Sequence, residues 1–290
     1  MGGENPKKRI RLQHNNSSMK NFQRILAAFI AALIIQACAT VPLTGRRQLS
    51  LVDESALQQE AVLAYQEFLG DPSTKVVKNN ANAQLVQRVG ARIAQAVTAF
   101  LNENGYANQY NFAWEFNLIE ENQINAWCMP GGKVAVYTGI LPVTQNEAGL
   151  ATVMGHEIAH AIAKHSSERM SQSIAAQLGG VAVDVATAEK SATTRAVLNT
   201  AYGLGGQLAL MSYSRNQESE ADRLGLVFMA MAGYHPSEAI AFWERMAQAK
   251  SASGGGEPPE FLSTHPSDAR RIMNIQKLQT EALQYYRPLK

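Results

Sequence analysis

Leu150-Ala151-Thr152-Val153-Met154-Gly155-His156-Glu157-Ile158-Ala159-His160 places apolar residues at Leu150, Val153, Met154 and Ile158, the spacing of one helical face. Just ahead of it, Thr144 and Glu147 match the spacing of a capping box, so the segment predicts a helix opening at Thr144. On such a helix residues four apart lie one above the other. His156 and His160 therefore present two imidazoles from one face and can close on a single metal ion. Glu157 is offset from them, placed to take a proton from a water held beside that ion and to return it to the nitrogen leaving a cleaved peptide bond. The chain has only six histidines, and two of them flank a glutamate at this spacing on a capped helix.

A hydrolytic zinc takes three protein ligands and keeps one position open, so a third donor is required. Glu218-Ser219-Glu220-Ala221-Asp222 follows Ser214-Arg215-Asn216, a helix start. Glu218 and Asp222 stand one turn apart on the same face: one can bind the metal while the other hydrogen-bonds a ligand histidine. Glu220 points elsewhere. Two imidazoles and a carboxylate suit one Zn2+ per chain best. His265 has two readings. It can approach the metal, as a gating fourth ligand or a transition-state donor, or it is simply the residue before a helix that starts at Pro266. His165 lies just past the last turn of the metal helix, where a cation favours the helix dipole. His235 is a loop residue before Pro236, and Cys128 a small buried hydrophobe.

Around these motifs the pattern is α+β and predominantly α-helical, with a small β-sheet against the metal helix. Asp53 caps a helix over 53–68, and a second over 81–104 carries Leu85, Val89, Ile93, Val97 and Phe100 as its apolar stripe. Strands are expected over 110–119, 126–129 and 133–137, the last two joined through Pro130-Gly131-Gly132. Val134, Ala135 and Val136 have the character of an edge strand on which an extended substrate could lie, since strand addition uses main-chain bonds and tolerates sequence. Helices follow over 166–188, 193–213, 216–231, 236–250 and 267–285. Residues 251–260, with three glycines and two prolines, form a loop placed to act as a lid.

The 290-residue chain has the composition of one ordinary domain. Its formal charge of +2 comes from residues 1–37, which hold six basic residues against one acidic; the remainder is slightly acidic. That leaves no basic stripe for nucleic acid. Met19-Lys20 and Arg24 precede an apolar run over 25–35 that is too short to span a bilayer and ends in Ile35-Gln36-Ala37-Cys38. This resembles a bacterial lipoprotein signal, with Cys38 as the lipidated residue and Ala39 following the outer-membrane sorting pattern. With Cys38 acylated, Cys128 has no disulfide partner. The expected organisation is 1–37 as N-terminal extension and signal peptide, 38–52 as lipidated tether, and 53–290 as the catalytic domain.

Taken in order, Val41-Pro42-Leu43-Thr44-Gly45-Arg46, Asn125-Ala126, Pro130-Gly131-Gly132, Gly139, His156 to His160, Ser214-Arg215, Glu218 to Asp222 and Thr264-His265-Pro266-Ser267 with Arg270-Arg271-Ile272 resemble the M48 family of metallopeptidases, in particular its periplasmic lipoprotein branch. The resemblance implies a zincin-like fold of the gluzincin type. Its ExxxD pattern selects Glu218 as third metal ligand, with Asp222 bonded to a ligand histidine and Glu157 as catalytic base. It also implies misfolded or stalled outer-membrane and other envelope proteins as substrates, a place in the periplasm on the outer membrane, and contact with the outer-membrane assembly machinery. A rival reading is an assembly factor or holdase whose zinc is dormant or structural, although a structural site would more often fill four positions with Cys or His.

Overall fold

The computed structural model describes residues 38–186, 213–252, 259–265 and 269–288. The signal segment 1–37, most of the helix expected over 193–213, and the centre of the loop at 253–258 lie outside the described residues.

Helix α1 (Glu54–Gly70) starts where Asp53 accepts from the amides of Ser55 and Ala56. Helix α2 (Ala81–Glu103) starts where Asn80 accepts from Ala83 N. Its buried face runs through Val86, Val89, Ile93, Ala94, Val97 and Leu101, so the stripe is rotated: Leu85 and Phe100 are only half-buried. Strands β3 (Val76–Val77), β4 (Glu115–Ile119), β5 (Ala126–Met129) and β6 (Lys133–Tyr137) make one sheet in the order β3-β4-β6-β5. The expected strand over 110–119 begins only at Glu115. Upstream of it Tyr110, Phe112 and Trp114 stack ring on ring, a contact that alternation in the sequence does not distinguish from a strand.

The edge-strand expectation for Val134, Ala135 and Val136 is overturned. β6 pairs with β4 in parallel and with β5 in antiparallel, and all three residues are fully buried. The sheet edge beside the metal helix is β5, reached from β6 through a turn in which Gly131 and Gly132 take φ of 81° and 87°.

Pro142 opens a short helix α3 (Leu141–Thr144), and the metal helix α4 (Glu147–Ile162) begins after it. The expected capping box at Thr144 is therefore replaced: the Thr144 hydroxyl donates to Leu141 O, and Asn146 caps α4 by accepting from Gly149 N. Then come α5 (His165–Ala186), α6 (Arg215–Met231), α7 (Glu238–Ala252), α8 (Glu260–Thr264) and α9 (Ala269–Gln284). Among the described residues no helix is long and apolar enough to cross a membrane.

Two glycines decide how closely α4 approaches α6. A methyl group on Gly155 would lie 2.9 Å from Gly225 O, and one on Gly225 would lie 2.9 Å from His156 N. Backbone therefore meets backbone, which brings the histidine turn of α4 level with the acidic turn of α6.

Residues 39–51, expected as a tether without structure, form a hairpin instead. β1 (Cys38–Thr40) and β2 (Arg47–Leu49) pair antiparallel, with Leu43 and Gly45 at positive φ in the connection. Val41 is buried in the core. The strands are too short to show a period, and the loop is held by polar side chains of distant helices, so nothing local in the sequence marks it.

Candidate metal centre

His156, His160, Glu218 and His265 each offer one donor atom, and all four atoms lie within 4.8 Å of one another. His156 Nε2 is 3.1 Å from His160 Nε2 and 3.2 Å from His265 Nδ1. Glu218 Oε1 is 3.2 Å from His160 Nε2 and 2.9 Å from His265 Nδ1. A tetrahedral ion with bonds of about 2.0–2.1 Å holds its donors roughly 3.3 Å apart, so these spacings fit one small divalent cation. All four residues are buried. Glu157 Oε1, also buried, accepts no hydrogen bond and lies 3.4 Å from His265 Nε2. Glu218 Oε2 accepts none either, and is held at 2.9 Å from Arg271 Nη1 as an ion pair only. Deeply buried acceptors are rarely left this way, and a cation with its water satisfies both.

The structure brings together every residue the sequence assigned to the centre. Asp222 Oδ1 is 3.0 Å from His156 Nδ1, so with Nε2 facing the other donors the Nδ1 proton points at a carboxylate. His265 stands among the donors, with its ring stacked on Phe261 and 3 % exposed, while the helix start expected at Pro266 lies outside the described residues.

Three supporting residues were not assigned from sequence. Arg271 clasps Asp222 at 2.7 and 2.8 Å and lies 3.5 Å above the Trp243 ring. It stood in the sequence only as part of a longer run of matching residues. His165, read as a dipole-favouring cation, is instead wholly buried, with Nδ1 2.8 Å from His160 Nδ1 and Nε2 3.0 Å from Glu220 Oε2. Burial pushes its pKa down despite Glu220, so the ring is neutral rather than cationic. Glu220 does point away from the donors, as expected, and takes up Thr44, Arg46 and His165. Tyr213 packs on the His160 ring, centroids 3.9 Å apart and planes tilted by 31°.

Electrostatics follow from this packing. Burial raises the Glu157 carboxyl above its ordinary range, against the pull of His265 and His156. Burial alone would raise Glu218 and Asp222 as well. In Glu218 the neighbouring histidines reverse it and in Asp222 the Arg271 charge and His156 do, so both carboxyls end lowered. The site can thus hold a cation with an anionic third ligand while keeping Glu157 as the most basic of its carboxylates.

Comparison with known proteins agrees. The family described as peptidase family M48 matches residues 80–279. The mitochondrial metalloendopeptidase OMA1 of Schizosaccharomyces pombe is 32% identical over 275 residues, 92% of this chain and 75% of that protein. Its Saccharomyces cerevisiae counterpart is 38% identical over 177 residues, 60% of this chain and 49% of its own length. The beta-barrel assembly-enhancing protease of Escherichia coli (strain K12) is 31% identical over 187 residues, 61% of this chain and 37% of its own. The chain thus spans three quarters of the first relative and half or less of the other two.

Proposed function

The chain belongs to peptidase family M48 and is a metalloendopeptidase, and from that premise we propose that it hydrolyses internal peptide bonds of misfolded or stalled cell-envelope proteins, using one zinc ion held by His156, His160 and Glu218. The observation that carries the reading is the pairing of four converging donors with a buried, unpartnered Glu157 oxygen beside them. When bound, zinc polarises the scissile carbonyl and lowers the pKa of a water at its open position to near 7. Glu157 accepts the proton of that water and passes it to the leaving nitrogen; its raised pKa makes it a better base at neutral pH than an exposed carboxylate. His265 Nδ1 stands in the donor cluster, at the corner a substrate carbonyl would need, so His265 gates the site and must swing out for turnover.

Among the described residues strand β5 borders α4 and is paired on one side only, so an extended chain adds there by main-chain bonds. The same geometry tolerates unfolded substrates of varied sequence. Envelope substrates are supported by the relatives named beta-barrel assembly-enhancing proteases. Attachment to the outer membrane through lipid on Cys38 rests on the sequence before it; Cys38→Ser should release the chain from membranes, and unchanged fractionation would exclude the anchor.

The discriminating experiment is metal analysis with a casein digest. Wild type should carry one zinc and lose activity to a chelator. Glu157→Gln should retain zinc and fold while cleaving at least ~100-fold more slowly, by the loss of general base catalysis. Proteolysis at the wild-type rate would remove Glu157 from the mechanism. In the same assay His265→Ala should cleave faster; an unchanged rate would end its gating role.

A further inference from the structure

We infer that Arg46, in the loop of the N-terminal hairpin, is a positioning residue of the metal centre, acting on His160 through Glu220 and His165. The inference rests on the metal reading above. His160 offers Nε2 to the donor cluster, so as a neutral ligand it carries its proton on Nδ1. That nitrogen is 2.8 Å from His165 Nδ1, which must then accept, leaving the His165 proton on Nε2, 3.0 Å from Glu220 Oε2. One arrangement of protons satisfies both contacts, and it requires the Glu220 carboxylate at its end.

The hydrogen bonds to that carboxylate come from outside α6. Arg46 Nε donates to Glu220 Oε2 at 2.6 Å, and the Thr44 hydroxyl donates to Glu220 Oε1. The other guanidinium nitrogens are fixed in turn. Nη1 and Nη2 reach the two oxygens of Glu168 at 2.7 and 2.9 Å, and Nη2 also reaches Gln48 Oε1 at 2.8 Å. Glu168 Oε2 further accepts from Gln217 Nε2, the residue that closes the capping box of α6. One planar cation thus ties α5, α6 and the hairpin into a single polar network ending on a metal ligand, a geometry a lysine could not reproduce. Thr44-Gly45-Arg46 therefore has a task that neither base chemistry nor metal ligation gives it.

Partners that orient a ligand histidine are worth about 10–100-fold in metal affinity, and one bond further out the effect is smaller. The test measures zinc affinity of the full chain by competition with a chromophoric chelator, alongside the melting temperature of the metal-free protein. Arg46→Gln should bind zinc ~5-fold more weakly, Thr44→Val ~2-fold, and Glu220→Gln at least as weakly as Arg46→Gln. The double variant Arg46→Gln/Glu220→Gln should bind no more weakly than Glu220→Gln alone, because the arginine acts only through that carboxylate. An arginine that merely pins the hairpin would lower the melting temperature and leave zinc affinity unchanged, or its loss would multiply with that of Glu220; either result overturns the inference. Should Arg46→Gln fail to fold, Thr44→Val decides. A wild-type chain that binds no zinc overturns the metal reading and this inference with it, whereas zinc-binding wild type beside an equally tight Arg46→Gln overturns this inference alone.

Discussion

His156 and His160 are the same residue on successive turns of one helix, yet the protein supports them differently. His156 bonds directly to Asp222, and Arg271 from α9 clasps that carboxylate with two nitrogens. His160 bonds to a second imidazole, His165, which passes the contact to Glu220 and so to the N-terminal hairpin. The first support is short and fully buried. The second is longer, passes through a neutral ring and ends on an arginine whose side chain is 30% exposed. Each ligand is oriented by a carboxylate held by an arginine; the difference lies in how many intervening bonds dilute the constraint.

Breaking the short support should have the larger effect. Asp222→Asn removes the charge opposite Arg271, so zinc affinity should fall ~10–100-fold. Stability should drop by about 1.5–3 kcal/mol, because the buried Arg271 keeps Glu218 but loses its charged hydrogen bonds to Asp222. Chelator competition and urea unfolding measure the two, and a change under twofold in both would remove the asymmetry at its stronger end. His165→Leu cuts the long support at its middle. Since His165 is neutral, no charge is stranded, and a loss of roughly 10-fold in zinc affinity is expected with about 1–3 kcal/mol from the unpaired His160 and Glu220 groups. A loss as large as that of Asp222→Asn would show the two supports to be equivalent. Smallest should be Tyr110→Phe. The Tyr110 hydroxyl donates to Ile162 O at the end of α4, between His160 and His165, at 2.9 Å. Its removal should cost about 1 kcal/mol in urea unfolding and leave the His156 side untouched; equal line-shape changes at His156 and His160 in NMR would contradict that locality.

The same contrast separates what was legible in the sequence from what was not. His156, Glu157 and His160 were legible because helical periodicity sets them on one helix at fixed spacing, while Glu218 and Asp222 were offered by spacing as a pair and told apart only by the resemblance to the ExxxD pattern. The helices from 53, 81 and 216, and the strands over 126–129 and 133–137, follow for the same local reason: caps, turns and apolar spacing are properties of neighbouring residues. Where the sequence misled, a competing local signal or a longer-range contact decided. The Thr144 capping box lost to Asn146 once Pro142 opened a separate short helix. The edge assigned to Val134, Ala135 and Val136 went to β5, because strand order depends on pairing with β4, which no local pattern records.

By itself the sequence placed the donors: two imidazoles, a glutamate between them and an acidic turn, all on helices. Only the tertiary structure decided how that chemistry is held. The glycine contact between α4 and α6 sets the distance between histidines and carboxylates. The hairpin contact of Arg46 with Glu168 and Glu220 joins residues far apart in the chain. Such contacts depend on where whole elements pack, and a spacing within one element carries no information about them.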